Sequence, residues 1–237
     1  MRIVKENRLY QLSFMPNIFP VNCYLVEEED SFTLIDTALS YSKKSIMKTA
    51  RELGKPIKKI ILTHVHSDHV GALDGLKDEL KNVEVFLPKR ELKILNGDLS
   101  LENGEPIMPI KGGIPKNLKT KPDTLLIDGD QIGSLLAIHT PGHTPGMMSF
   151  LDVRNNNLIA GDAFQTKGGL AVAGRVQWSF PFPAFATWNK EEAIQSAERL
   201  VSYQPSILAV GHGNIAIKPV REMKRAIDKA KDSLRRA

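Results

Sequence analysis

The stretch Thr63-His64-Val65-His66-Ser67-Asp68-His69 places three imidazoles and one carboxylate within six residues. It ends an apolar run at residues 57–63 that predicts a buried strand. In an extended chain the first two histidines and the aspartate project to the same side, because side chains alternate along a strand. His69 faces away from that row unless the backbone turns into the following helix. Such a turn would present all four groups around one point, and their imidazoles and carboxylate are ligands that zinc and other divalent first-row ions accept.

Three more candidate ligands, His143, Asp162 and His212, each follow a predicted strand later in the chain. These strands cover residues 135–140, 157–160 and 206–210. Glycine stands directly before each candidate, and a residue without a Cβ lets the backbone approach a crowded site. Ligands at the carboxyl ends of several strands of an α/β sheet can converge in one crevice. We therefore expect all seven side chains to meet there.

The order of strands and helices predicts a layered α/β domain over residues 1–237, since no linker or repeat interrupts it. Asn189 with Glu192 forms a capping box before one helix, and Pro219 begins another. Residues 96–122 hold several glycines and prolines without a sustained period, which is typical of a functional lid or a mobile segment. Further helices are predicted at 42–53 and around 73–80, and further strands at 22–27, 32–36, 83–87, 124–127 and 148–153.

The composition is that of an ordinary globular protein, with 237 residues, 42% hydrophobic and 25% charged. Cys23 is the single cysteine, so no intrachain disulfide can form, and we expect it to be a small core residue. No apolar run approaches the length of a membrane span, and the first residues lack a signal-peptide stretch. We therefore expect a soluble, cytoplasmic protein. The net charge of +5 is too diffuse to predict nucleic-acid binding.

In residue type, order and approximate spacing, these ligands resemble the metallo-β-lactamase superfamily, over residues 22–214. The resemblance implies an α/β fold, the αβ/βα sandwich, with two mixed sheets and helices on the outside. It implies that His64, His66 and His143 hold a first metal and that Asp68, His69 and His212 hold a second. Asp162 would then bridge both ions, which are expected to be zinc, with iron or manganese as alternatives.

The same resemblance implies a hydrolase in which two cations share a bridging water and lower its pKa. The resulting hydroxide would attack a carbonyl or phosphoryl centre, and Asp68 is expected to orient it or to pass its proton to the leaving group. True zinc β-lactamases often have cysteine where this chain has Asp162, and flavodi-iron reductases have glutamate in place of His66. Both departures favour the glyoxalase II, lactonase and ribonuclease Z type, with a lactone, ester or thioester preferred as substrate.

Three other functions stay open at this point: a mono-iron dioxygenase acting on a sulfur substrate, a phosphodiesterase, and a metal-stabilised binding protein without turnover. The expected partner is a small molecule, with neither nucleic acid nor membrane, and the aromatic segment leaves a homodimer open. That segment, residues 164–188, contains six of the fifteen aromatic residues and either lines the substrate pocket or packs its own loop. Asp36 is either a hydrogen-bond partner of a ligand histidine or a turn cap, and His139 either supports a ligand or is structural.

Overall fold

The computed structural model describes residues 1–236, and internal contacts divide the chain into two compact units. The first unit comprises Met1–Gly97 and Gly113–Leu126, and the second comprises Asp98–Gly112 and Ile127–Ala237. The expectation of one domain stays a prediction, because a division by contacts does not show whether either unit folds alone.

The first unit contains a seven-stranded mixed sheet whose strands are arranged in chain order. Its strands are β1 (Arg2–Glu6), β2 (Leu9–Phe14), β3 (Val21–Glu27), β4 (Phe32–Ile35), β5 (Ile57–Ile61), β6 (Glu84–Pro88) and β7 (Thr124–Leu126). Neighbours from β1 to β4 pair antiparallel, and those from β4 to β7 pair parallel. The parallel strands run in one direction, so the residues that follow β4 and β5 emerge at the same edge of the sheet.

Short helices connect the parallel strands of this sheet, as crossover connections require. They are α1 (Lys43–Glu52), α2 (Ser67–Val70), α3 (Leu73–Glu79) and α4 (Glu91–Leu95), with a 3-10 turn at Ser40–Ser42. The first, α1, buries Ile46 and Ala50 on one face and is followed by Gly54 at φ 80°, as the apolar spacing predicts. Most important for function, α2 begins one residue after His66, so the predicted turn from strand to helix is confirmed.

The second unit contains a six-stranded mixed sheet and a separate two-stranded ribbon. The strands are β8 (Gln131–Ile132), β9 (Leu135–His139), β10 (Met148–Asp152), β11 (Asn157–Ile159), β12 (Phe164–Gln165), β13 (Ala171–Val172), β14 (Ile207–Ala209) and β15 (Ala216–Ile217). The larger sheet has the order β15-β14-β11-β10-β9-β8, and β12 and β13 form the ribbon. In the larger sheet β11 pairs parallel with β14, and the other neighbours are antiparallel.

Three helices complete the second unit: α5 (Phe182–Phe185), α6 (Lys190–Ser202) and α7 (Val220–Arg235). The Asn189 side chain accepts a hydrogen bond from the Glu192 N–H, which confirms the predicted cap of α6. Buried residues of α6 and α7, including Ala197, Leu200 and Met223, pack into one core with apolar residues of β11 and β14. This packing fixes the strand ends that carry His143, Asp162 and His212.

The predicted strands and helices are confirmed to within a few residues, and residues 96–122 contain no helix or strand. Several short elements were not predicted, chiefly β1, β2, α4 and the two-residue strands. Across the described residues, no helix has the length and apolarity needed to span a membrane.

Candidate functional site

The first ligand set is a group of candidate metal ligands in the first unit: His64 and His66 follow β5, and Asp68 and His69 lie on α2. The three histidines are buried and Asp68 is half-buried. The ring centroids of His64 and His66 are 4.7 Å apart, and those of His64 and His69 are 4.1 Å apart. The turn into α2 therefore brings His69 back beside the two histidines that precede it.

Within this set, His64 Nε2 and His66 Nδ1 are 3.1 Å apart. Two nitrogens at about 2.0–2.1 Å from one tetrahedral zinc ion would be about 3.3 Å apart, so the observed spacing suits two ligands of a single ion. The donor type and the spacing of this pair thus fit a divalent metal.

Asp36, in the loop directly after β4, supports two histidines of the set. Its carboxylate accepts hydrogen bonds from the Thr63 N–H and the Thr63 hydroxyl, both at 2.8 Å, and contacts His69 Nδ1 at 2.7 Å. Since the Thr63 hydroxyl donates to Asp36, it is left to accept from His64 Nδ1, 3.0 Å away. His64 and His69 then both keep Nε2 as the basic nitrogen, which is the form that binds metals. Asp36 is therefore a hydrogen-bond partner of a candidate ligand histidine, His69.

The backbone of the motif is held from two other segments of the first unit. The Val65 N–H donates to the buried carboxylate of Glu91, at 3.0 Å. The N–H and hydroxyl of Ser67 both donate to the Gly113 carbonyl, at 2.7 and 2.8 Å. Glu91 was missed in the sequence, because it lies on the unpredicted α4 and no local pattern marks it.

The second ligand set, His143, Asp162 and His212, is buried in the second unit. One oxygen of Asp162, Oδ2, lies 3.3 Å from His143 Nε2 and 3.2 Å from His212 Nε2. The residues that follow three strands of this unit thus lie close together. A carboxylate oxygen between two imidazoles is a donor arrangement that suits a divalent cation.

The position of His143 is fixed by the segment before α6. Thr187 donates its hydroxyl to the Pro183 carbonyl at 2.8 Å, so at 3.2 Å it accepts from His143 Nδ1 and leaves Nε2 basic. The Trp188 N–H also donates to the His143 carbonyl. Gly142, at φ 137°, is required here, because a Cβ would lie 2.4 Å from the backbone of Ala193.

His212 is held by a tight backbone approach and by an aromatic ring. The N–H groups of Thr166 and Lys167 both donate to its carbonyl, at 3.0 and 3.2 Å. A Cβ on Gly213 would lie 2.2 Å from Thr166 Oγ1, so glycine is needed beside the ligand. Phe180 is buried against the imidazole, with ring centroids 5.5 Å apart.

The aromatic segment divides between core and surface. Phe164, Phe180 and Trp188 are buried, which agrees with packing of the loop. Trp178, Phe182 and Phe185 are exposed by 87%, 53% and 60%. Both interpretations of the segment therefore keep support, each from different residues.

Cys23 and His139 lie outside the two ligand sets and occupy structural positions. Cys23 is buried and burial raises the pKa of its thiol, as expected of a core residue. His139 is half-buried and its Nε2 contacts the Pro145 carbonyl at 3.0 Å, which favours the structural interpretation. The convergence of the two ligand sets on one pair of ions stays a prediction.

The chain is similar to known proteins of one superfamily. The family model described as the Metallo-beta-lactamase superfamily matches residues 16–212. The uncharacterized protein YobT of Bacillus subtilis is 58% identical over 231 residues, 98% of this chain and 99% of its own length. The probable metallo-hydrolase YflN of the same organism is 29% identical, over 81% and 80% of the two chains. The hydroxyacylglutathione hydrolase GloC of Haemophilus influenzae is 29% identical, over 83% and 87%.

Solved structures agree on the fold. The crystal structure of DIM-1 metallo-beta-lactamase exposed to ceftazidime has a TM-score of 0.72 and 16% identity, covering 98% of this chain and 97% of its own. The structure of TTHA1623 in a di-iron-bound form has a TM-score of 0.63 and 26% identity, covering 89% and 96%. The predicted fold class, an αβ/βα sandwich with two mixed sheets, is confirmed by this likeness.

Proposed function

Because the chain belongs to the metallo-beta-lactamase superfamily and is a hydrolase like its named relatives, we propose that it cleaves a small carbonyl substrate with two divalent ions. The substrate class is a lactone, an ester or a thioester. The proposal is carried by one observation: the candidate ligands are buried or half-buried, and Nδ1 of His64, His69 and His143 lies beside a protein oxygen, which makes Nε2 the basic nitrogen of each ring.

The proposed ligands of the first ion are His64, His66 and His143, and those of the second are Asp68, His69 and His212, with Asp162 shared. The 3.1 Å spacing of His64 Nε2 and His66 Nδ1 supports a common ion for that pair. The position of Asp162 Oδ2 beside two imidazole nitrogens supports its shared role. When bound, such ions lower the pKa of water and polarise a carbonyl oxygen.

The chain's own residues perform the remaining tasks. Asp36 and Thr63 keep the ring orientation and tautomer of His64 and His69, so that little reorganisation is needed when a substrate binds. Asp68 is half-buried on the first turn of α2, where its carboxylate is proposed to receive a proton and to pass it to the leaving group.

The proposed carbonyl substrate carries an apolar group. Phe180 contacts His212 on one side and Phe182 on the other, with ring centroids 5.5 and 5.4 Å apart. Phe182 is 53% exposed, so an aromatic path leads from a candidate ligand to the surface of the second unit. An acyl chain or ring that packs along this path would bury apolar surface away from water, which favours binding.

The test begins with metal content. Purified protein reconstituted with zinc is expected to hold two ions per chain by elemental analysis, and His64→Ala or Asp162→Ala is expected to lower both stoichiometry and turnover. His139→Gln, which changes a histidine outside both ligand sets, serves as the control for metal content. One iron per chain with oxygen consumption would instead identify a dioxygenase and contradict the proposal.

The substrate class is tested with the metal-loaded protein and a panel of lactones, thioesters, phosphodiesters and nitrocefin. Turnover of the carbonyl substrates is expected, with larger kcat/KM for those that carry an apolar group. Cleavage of the phosphodiesters alone would contradict the proposed substrate. An unchanged rate in His64→Ala would refute the ligand assignment.

A further inference from the structure

A cavity of about 370 Å³ lies within the second unit, and none of the seven candidate ligands lines it. The loop that follows β13 forms one wall, the start of α6 another, and the last turns of α7 the third. Its volume falls in the range of small-molecule sites. Nothing in the proposed hydrolysis uses it.

The floor of the cavity is apolar. Ala173 and Ala230 are buried, Ile194 is 6% exposed, and Leu234 is half-buried and packs against the same core. Such a floor favours a ligand with a hydrocarbon part, because removal of apolar surface from water is favourable.

Two cationic residues, Arg175 and Lys190, also line the cavity. Arg175 is half-buried, and its Nε is buried without a hydrogen-bond partner among the residues that the structure describes. The Lys190 stem crosses Gly174 so closely that a Cβ there would lie 2.7 Å from Lys190 Cγ. Among the described residues that line the cavity, none is acidic. The cavity therefore has two positive charges and no carboxylate of its own to pair them.

A buried donor without a partner costs free energy, and an acceptor supplied by a ligand removes that cost. The guanidinium group binds a carboxylate with two parallel hydrogen bonds, of which Nε–H is commonly one. The exposed indole of Trp178 lies at the same cavity and offers a flat apolar surface.

We propose that this cavity binds an amphiphilic carboxylate, with the carboxylate at Arg175 and Lys190 and the hydrocarbon chain on the apolar floor. Inorganic phosphate fits less well, because the apolar floor would leave some of its oxygens without hydrogen-bond donors. A carboxylate is also what hydrolysis of an ester, thioester or lactone releases. The binding site is nevertheless independent of that activity, since it shares no residue with the ligand sets.

The experiment is calorimetric titration of the full chain with octanoate, before and after removal of metal by a chelator. Saturable binding at one site per chain is expected in both states, together with a change in Trp178 fluorescence that Trp178→Phe abolishes. Arg175→Gln and Lys190→Gln are each expected to weaken binding at least tenfold. Arg221→Gln, which removes an exposed cation outside the cavity, is the matched control and is expected to bind like the unmodified chain.

Three other probes complete the test. Acetate, 1-octanol and inorganic phosphate are each expected to bind at least tenfold more weakly than octanoate. An affinity for octanol equal to that for octanoate would show that the cations do not bind the carboxylate. An affinity for acetate or phosphate equal to that for octanoate would show that the apolar floor does not bind the hydrocarbon chain. Loss of octanoate binding on chelation, or in His64→Ala, would place the ligand at the metal site and overturn the proposal. Lys190 is exposed, so its substitution keeps the test valid if Arg175→Gln fails to fold.

Discussion

At the scale of single residues, hydrogen bonds to neighbouring side chains orient three of the candidate ligand histidines. His64, His69 and His143 contact Thr63, Asp36 and Thr187 through Nδ1, which makes Nε2 the basic nitrogen of each ring. The ring orientation is thus set by ordinary hydrogen bonds before any ion binds. Partners of this kind commonly change metal affinity ten- to a hundredfold when they are lost.

Thr187→Val removes the hydroxyl that accepts from His143 Nδ1 while keeping the shape of the side chain. We expect zinc affinity to fall about tenfold, because His143 then loses its fixed orientation and tautomer. The measurement is competition for zinc with a chromophoric chelator. Thr187→Ser keeps the hydroxyl and is expected to restore most of the affinity; equal losses in both variants would contradict this role.

Asp36→Asn exchanges a buried carboxylate for an amide. The carboxylate receives three contacts, two from Thr63 and one from His69, and an amide cannot accept all three. We expect a loss of about 2–3 kcal/mol in the free energy of unfolding, since hydrogen bonds to charged groups are the stronger ones. Urea unfolding of the metal-free protein measures this.

The control for that substitution is Asp30→Asn. Asp30 pairs with Lys58 at the exposed surface, where solvent screening leaves an ion pair little effect on stability. A loss at Asp36 no larger than the loss at Asp30 would mean that the buried carboxylate does not stabilise the motif.

The candidate ligands could be selected from the sequence because residue type and spacing mark them, whereas their hydrogen-bond partners could not. Thr187 lies 44 residues from His143, and Glu91 lies 26 residues from Val65. No local pattern connects residues so far apart, and threonine and glutamate are common in any helix or loop. Asp36 was foreseen only as one of two alternatives, and its contact with His69 decides between them.

At the scale of elements, ligands stand where strands end and chain direction changes. The turn after β9 carries His143 and is pressed against the start of α6, where the Asn189 N–H donates to the Gly142 carbonyl. This close approach is possible because residue 142 has no side chain. The turn is therefore a rigid support for its ligand.

Gly142→Ala tests that support. The new Cβ would meet the backbone of Ala193 at 2.4 Å, and φ of 137° is strained for any residue with a Cβ. We expect a loss of more than about 3 kcal/mol in unfolding free energy, together with weaker zinc binding.

Gly129→Ala is the matched control: φ is 90° there, but no atom lies within 4 Å of the added Cβ. It is expected to cost about 1–2 kcal/mol of backbone strain, and equal losses at the two glycines would show that the contact with α6 is unimportant.

Long, periodic elements could be predicted, and short ones could not. The apolar spacing of α6 and the cap at Asn189 leave a clear local signal. By contrast, α4 is five residues long and β12 is two, so neither completes a recognisable period. The strand β1 was overlooked because its two apolar residues, Ile3 and Val4, are adjacent and its other residues are charged, so the sequence shows no alternation. Its pairing with β2 defines it.

At the scale of the whole molecule, several lysines of this positively charged chain form ion pairs with acidic residues. In the first unit, hydrogen bonds from Lys55 and Lys77 hold the pKa values of Glu27 and Asp123 below their usual range. A carboxyl group whose folded pKa is lowered stabilises the folded state above its unfolded pKa. That stabilisation is lost as the pH falls through the folded value.

Asp123 gives the sharpest test of this dependence, because it joins Lys77 of α3 and the Val85 N–H of β6, at 2.7 and 2.8 Å. Asp123→Asn keeps an acceptor oxygen for Val85 and removes the charge. We expect the variant to be less stable than the unmodified chain at pH 7, and the difference to shrink from about pH 5 downward as the carboxylate takes up a proton. Urea unfolding at a series of pH values measures the difference.

The control is Asp78→Asn, at an exposed position on α3, and this variant is expected to have the same stability as the unmodified chain. A difference at Asp123 that stayed constant down to pH 3 would show that its charge contributes nothing to stability, since only a charge-dependent term disappears on protonation.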